Sequence, residues 1–222
     1  MTTQTRYVHA LRFSWLTRFY DPVLRATLRE EALKRRLVEQ VGLRPGMRVL
    51  DLGCGTGTLT TMLARAEPRS EVVGLDGDPE TLARARTKLA ETGVRAELHE
   101  GLATAPPFPA GSFDRVVSSL VLHHLTLEDK RRALAQARAL LRPGGELHVM
   151  DWGKAQDPLM RLAFLGVQAL DGFSTTRDNV AGCLPALMSE AGFEQVQEVH
   201  RARTVFGTLS FYRAKAPEAR RV

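Results

Sequence analysis

The chain has 222 residues, 44% hydrophobic, 25% charged and 6% aromatic, with a formal net charge of +6; these proportions fit one folded domain and exclude disordered, collagenous and disulfide-scaffold classes. Its two cysteines, Cys54 and Cys183, stand in no paired metal-ligand spacing, so no metal site is expected and a reducing cytoplasm is the default compartment. No uncharged apolar run approaches the roughly 20 residues that cross a bilayer, and the chain start lacks a secretory leader pattern.

In chain order, residues 1 to 48 come first, with 10 Lys/Arg against 4 Asp/Glu. Residues 49 to 199 reverse the balance with 15 against 20, and residues 200 to 222 restore it with 6 against 1. A helix over about 23–41 with a solvated basic face accounts for the first segment. The competing reading is peripheral contact with an anionic membrane surface. Phe13, Trp15, Phe19 and Tyr20 alternate with Arg12 and Arg18, a cluster that suits a lid over a small-molecule pocket, so nucleic acid is not the expected partner.

From Met47 onward short β-rich apolar runs alternate with longer stretches of helical period, the pattern of βαβ units in a parallel sheet. The runs predict strands over 48–52, 71–75, 96–99, 115–119 and 146–151, with helices over 59–66, 79–92 and 128–141. Asp78 before Pro79 is an N-cap and first-turn pair, and Arg142-Pro143-Gly144-Gly145 is a helix stop. Residues 106–111 form a loop. Beyond the core, an apolar helix is expected over 158–170, a polar turn over 174–179 and a helix over 184–191. Two strand-like runs, 195–200 and 204–213, pair as an antiparallel hairpin joined around Arg201-Ala202-Arg203, and a loose tail follows from Ala216.

The strongest local signal is Val49-Leu50-Asp51-Leu52-Gly53-Cys54-Gly55-Thr56-Gly57, a strand that runs through a glycine loop into a helix. Glycines let the backbone turn sharply and approach a ligand with no Cβ in the way, which implies a nucleotide-like ligand. A dinucleotide fingerprint requires its third glycine at position 58, where the chain has Thr58, and no Gly-Lys-Ser/Thr follows. Asp51 at the strand end would repel a pyrophosphate and attract an ammonium, which favours an amino-acid-bearing nucleoside.

Asp51-x-Gly53-x-Gly55-x-Gly57 after a strand resembles the first motif of class I S-adenosylmethionine-dependent methyltransferases. The resemblance continues in Gly74-Leu75-Asp76, in Pro107-Phe108 followed by Gly111-Ser112-Phe113-Asp114, and in Leu140-x-x-Pro143-Gly144-Gly145. It covers residues 40 to 155 well, and Ala191-Gly192-Phe193 with the closing strands also fits. It implies an α/β fold: a Rossmann-like, doubly wound seven-stranded sheet, parallel except for its last strand, which inserts between the fifth and sixth. It also implies S-adenosylmethionine as cofactor and S-adenosylhomocysteine as product. One domain over 1–222 is expected: a helical extension or lid over 1–45, a cofactor-binding core over 46–155, a helical cap inserted over 156–190 and closing strands over 191–215.

Carried over residue by residue, the resemblance places Asp51, Gly53, Cys54, Gly55 and Gly57 around the methionine end, and Asp76 with Gly77 at the ribose hydroxyls. Ser119 at the end of the fourth strand is assigned to the cofactor as well. Tyr20 before Asp21 resembles a tyrosine that some relatives place over the methionine end. Where the family often has Gly-Asp-Ala the chain has Gly101-Leu102-Ala103, so the adenine edge falls to the backbone of Leu102 and Ala103.

Leu122-His123-His124-Leu125, just after the fourth strand, resembles members related to quinone and phospholipid methyltransferases, and implicates His124 and His123 as proton acceptors. Asp151 and Trp152 are weaker acceptor-side candidates. Apolar side chains of the cap (Leu159, Met160, Phe164, Leu165 and Phe173) point to a small, apolar or lipid-like acceptor. Two alternatives stay open: a methyltransferase for RNA or protein, and a cofactor-binding protein without catalytic activity. Against nucleobase amino-group methylation, no Asn/Asp-Pro-Pro-aromatic turn follows the fourth strand, where Ser118-Ser119-Leu120-Val121 stands instead.

Overall fold

The computed structural model describes residues 30–219. Tyr20, Phe13, Trp15 and Phe19, and most of the basic segment considered for membrane contact, lie outside the described residues. The elements in order are α1 (Glu30–Val41), β1 (Arg48–Leu52), α2 (Thr58–Ala66), β2 (Glu71–Asp76), α3 (Pro79–Thr92), β3 (Glu97–Glu100) and β4 (Phe113–Ser119). A short 3₁₀ turn (Leu122–His124) follows, then α4 (Leu127–Leu140), β5 (Leu141–Trp152), α5 (Pro158–Asp171), α6 (Phe173–Ala181), α7 (Leu184–Glu190), β6 (Glu194–Thr204) and β7 (Gly207–Lys215).

Seven strands form one sheet in the order β3-β2-β1-β4-β5-β7-β6. β1 pairs in parallel with β2 and β4, β2 with β3, and β4 with β5, while β7 runs antiparallel to both β5 and β6. This is the sheet the resemblance implies. The central strands are apolar at consecutive positions because helices cover both faces. Leu50, Val73, Val116 and Leu147 face α4 and α7, whereas Val49, Val72, Val117 and Met150 face Leu37 of α1 and Leu59 and Leu63 of α2. Asp78 caps α3 by accepting from the Glu80 and Thr81 N–H groups, Thr126 caps α4 and Asp157 caps α5.

Four expectations are corrected. The polar stretch 174–179 is part of a helix, α6, and its side chains turn inward: Thr176 and Asn179 are fully buried, and the Gln168 amide donates to Thr176 Oγ1 at 3.1 Å. Polarity there signals satisfied burial, not a solvent turn. The hairpin connection is Val205-Phe206, two residues past Arg203, with Arg201, Ala202 and Arg203 still paired to Ser210, Leu209 and Thr208. The true turn signal is Gly207, whose φ of +132° and contact with Phe164 exclude a side chain. The fifth strand starts at Leu141, which pairs with Phe113, and not at 146; the helix does stop just before Arg142-Pro143-Gly144-Gly145, which forms the irregular start of β5. The tail is tied down at its root: Ala216 is buried and its N–H donates to the Gly145 carbonyl at 2.8 Å. Among the described residues no helix is long and apolar enough to cross a membrane.

Candidate functional site

In an open parallel sheet, ligands sit beyond the carboxyl ends of the strands where strand order reverses. Here β1 lies between β2 and β4, and the glycine loop leaves its end. The N–H groups of Gly53 and Cys54 both donate to the Leu75 carbonyl, at 2.8 and 2.9 Å, which folds the loop over β2. Gly53 has φ +77°, and a Cβ there would stand 2.4 Å from Val121 Cγ2. Gly57 has φ +73° and begins α2 against Ala85, while Gly55, at φ +54°, faces open space. The loop is thus a cradle whose floor is backbone.

Two carboxylates flank it. Asp51 is buried in β1 and accepts from the Thr60 hydroxyl at 2.6 Å. Burial pushes its pKa up to about 6, opposed by the Thr60 hydrogen bond and by the Lys34 ammonium, which α1 brings near. Asp76 ends β2, where Oδ2 accepts from the Gly55 N–H at 2.8 Å and Oδ1 from the Asp78 N–H at 3.0 Å. Burial raises its pKa as well, against those backbone hydrogen bonds and that of Gly77. Cys54 packs inside the loop, where burial raises its thiol pKa far above the usual range and leaves it inert. Leu102 and Ala103 follow β3 in a partly buried turn, with the Ala105 N–H donating to the Leu102 carbonyl at 3.0 Å. The Ser119 Oγ is buried with no hydrogen-bond partner among the described residues.

These residues fit the implied cofactor. A buried carboxylate whose charge lacks solvation suits an incoming ammonium that would pair with it, and the oxygens of Asp76 keep acceptor capacity for ribose hydroxyls beyond their backbone amides. Side-chain-free glycine backbone between them leaves space for a nucleoside.

The second half of the site lies at the ends of β4 and β5. Leu120 adopts φ +59°, a left-handed conformation uncommon for leucine, and turns the chain into the 3₁₀ segment that carries both histidines. The His123 and His124 rings lie 3.9 Å apart, centroid to centroid, tilted by 42°. Burial, then the neighbouring His123 ring, holds the pKa of His124 well below the usual histidine range. Asp151 is fully buried under this turn, accepting at Oδ2 from the Leu122 N–H (2.8 Å) and at Oδ1 from the Trp152 N–H (2.7 Å), with His123 Nδ1 2.8 Å from Oδ1. Asn179 of α6 donates to Oδ1 at 3.2 Å and to the Trp152 carbonyl at 3.0 Å.

Asp151 and Trp152, considered as acceptor contacts, are both interior residues. Trp152 packs on Phe164 with ring centroids 5.1 Å apart, inside a cluster with Val167 and Leu209. Among the cap side chains, Met160 and Phe164 are core residues, while Leu159 (62%) and Phe173 (58%) are exposed. Sequence reasoning missed Thr60, Val121 and Asn179. Thr60 stands nine residues from Asp51 and could have been found as its partner through the first turn of α2, but nothing local to Asn179 signals its role.

Comparison with known proteins identifies the family. A protein-family model described as a methyltransferase domain matches residues 49–145. The ubiquinone/menaquinone biosynthesis C-methyltransferases of Shewanella sp. (strain W3-18-1) and Shewanella oneidensis are each 33% identical over 184 aligned positions, spanning 73% of this chain and 72% of theirs. Among solved structures, an O-methyltransferase family protein from Burkholderia thailandensis superposes with a TM-score of 0.71 at 21% identity, covering 90% of this chain and 59% of that one. A SAM-dependent methyltransferase from Aquifex aeolicus gives 0.65 at 18% identity, covering 91% and 97%. At such identities the two structures show the shared fold alone.

Proposed function

The chain belongs to the S-adenosylmethionine-dependent methyltransferases, and from that premise we propose that it methylates a small, lipid-like acceptor of the quinol type at a ring carbon. The observation that carries the acceptor is the 33% identity, over most of both chains, with quinone-pathway C-methyltransferases.

Asp51 and the backbone of Gly53, Gly55 and Gly57 would hold the amino-acid end of the cofactor, Asp76 and Gly77 the ribose, and the Leu102 and Ala103 backbone the adenine edge. Ser119, whose buried hydroxyl has no partner among the described residues, ends β4 and would join the cofactor set. When bound, S-adenosylmethionine supplies a methyl group on a positively charged sulfur, open to in-line displacement. Asp51 is expected to give up its proton as an ammonium arrives, because the paired charge replaces the solvation lost on burial.

On the acceptor side, the chain must orient the ring, exclude water and remove one proton, since a ring carbon becomes nucleophilic as its neighbouring hydroxyl loses a proton. His123 and His124 are the groups placed to take it. Burial holds the pKa of His124 well below the usual histidine range, which leaves its ring neutral and makes it the weaker base. The helical cap covers the histidine turn through Asn179 and through Phe164 on Trp152, which keeps this side apolar.

The test is methyl transfer from isotope-labelled cofactor to three acceptor classes: reduced benzoquinols and naphthoquinols with an open ring carbon, aminophospholipids, and total RNA with protein. A carbon-methylated quinol is the expected product. Label appearing only on oxygen, on phospholipid or on macromolecules would sink the acceptor reading.

A further inference from the structure

The nucleoside end of the site continues from Asp76 onto the turn that follows β3. Asp76 stands opposite Glu100 in the parallel register of β2 and β3, and its carbonyl accepts from the Gly101 N–H at 3.0 Å. The chain therefore leaves β3 beside the carboxylate assigned to the ribose. Residues 101–108 read Gly-Leu-Ala-Thr-Ala-Pro-Pro-Phe. A Cβ at Gly101 would stand 2.9 Å from Leu75 Cδ1 and 3.0 Å from Pro107 Cδ, so the turn closes tightly on its own loop. Leu102 and Ala105 pair across it, the Leu102 carbonyl accepting from the Ala105 N–H at 3.0 Å. Ala103 and Phe108 pack on the core, with the Phe108 ring edge-on to His99 and Phe113 at centroid distances of 5.1 and 5.2 Å. Leu102 is half-buried, while Ala105 and Pro107 are exposed.

This turn is poorly equipped to select for the exocyclic amine of adenine. That amine donates, so a site that requires it needs an acceptor-only group, and a carboxylate is the strongest of these. Leu102 stands where the family often carries an aspartate. Between Gly101 and Phe108 the one hydrogen-bonding side chain is that of Thr104, whose hydroxyl both donates and accepts and imposes no requirement for a donor. The acidic side chain nearest along the chain, Glu100, is exposed at the strand end. Apolar surroundings discriminate weakly between ligands of similar shape, because no buried polar group is left unpaired when the amine is missing. We propose that Leu102 sets the cofactor specificity of this protein: the turn holds the purine by its ring and leaves the amine position unread, so relatives of the cofactor whose exocyclic amine is missing or alkylated bind as well as the cofactor itself. The inference rests on the placement of the ribose at Asp76 and is independent of the acceptor.

Titration calorimetry on the full chain tests this with no acceptor present. The ligands are S-adenosylhomocysteine and two analogues, one with hydrogen in place of the exocyclic amine and one with a dimethylamino group there. The wild type is expected to bind all three within about threefold. Leu102→Asp supplies an acceptor-only group, and is expected to prefer S-adenosylhomocysteine over both analogues by about tenfold or more. A wild-type preference for the amine of about tenfold or more, whichever residue supplies it, overturns the proposal. So does a folded Leu102→Asp protein that shows no preference, because Leu102 would then not lie at the amine position. Where Leu102→Asp does not fold, the wild-type comparison decides alone. Asp76→Ala separates the premise from the inference: it is expected to weaken all three ligands by a common factor on the order of a hundredfold. Unchanged binding in Asp76→Ala would overturn the ribose placement and the proposal with it. Weakened binding there, combined with wild-type selection for the amine, would keep the placement and sink the specificity assigned to Leu102.

Discussion

The proposed cofactor half and the proposed acceptor half of this site are built by different means. Around Asp51 and Asp76 the working groups are strand ends and loop backbone, tied by short-range or adjacent-strand hydrogen bonds such as Gly55 N–H to Asp76. Around His123 they are side chains from β4, β5 and α6, brought together only when the sheet is complete and the cap is seated. The first half is shaped largely by its own loop and the adjacent strand, whereas the second depends on several distant elements staying in place. A fold can keep one cofactor and change acceptors by altering the second half alone.

Substitutions that separate the halves test this division. The largest effect is expected from Asp51→Ala, which should weaken S-adenosylmethionine binding on the order of a thousandfold, about 4 kcal/mol, whereas His124→Ala should leave the dissociation constant within about twofold. Titration calorimetry of both variants decides, and equal losses would break the comparison.

Next is Lys130, a buried lysine of α4 whose Nζ donates to the Thr175 carbonyl at 2.5 Å and lies 3.3 Å from Asp178, tying α6 to the core. Removing it leaves Asp178 without that partner. Lys130→Ala should cost about 3 kcal/mol of stability in denaturant titration and depress turnover more than cofactor affinity. A variant that loses cofactor binding first would show the cap belongs to the other half.

A smaller effect follows from the titration of Asp51. Its pKa of about 6 in the free protein means that an ammonium ligand, which favours the ionised carboxylate, must displace a proton at lower pH. Cofactor affinity should be level above pH 7 and fall about tenfold per pH unit below about 6. A flat profile from pH 5 to 8 would remove Asp51 from ammonium recognition. The same shift carries a stability sign: the folded state holds this proton more tightly than the unfolded chain, so its contribution is present in full below about pH 4 and is lost as pH rises through 6. Asp51→Asn should accordingly raise the melting temperature of the free protein at pH 8 by a few degrees, while abolishing binding. A lowered melting temperature would mean that the charge supports the fold.

How much of this was legible follows the same division. β1 and α3 lie where the sequence places them, because Gly53 and Gly57 stop and start elements by backbone conformation, and Asp78-Pro79 caps by a local hydrogen bond. The polar stretch 174–179 was misread, since Thr176 and Asn179 look solvent-seeking until their buried partners are known. The hairpin turn was placed too early because Arg201 and Arg203 look like loop residues, though both lie in β6 and pair with β7. Asp151 stood only as a weaker acceptor-side candidate, and its five partners became visible only with three elements in contact.

The sequence by itself determined the strand and helix alternation, the glycine cradle and its two carboxylates. Each of these is set by φ, ψ and hydrogen bonds among residues near in sequence or on neighbouring strands of a predictable sheet. Tertiary structure alone decided which buried polar groups face one another. Asp151, His123 and Asn179 carry no shared spacing, and the buried Asp151 carboxylate is compensated by His123, by Asn179 and by the Leu122 and Trp152 N–H groups in place of water.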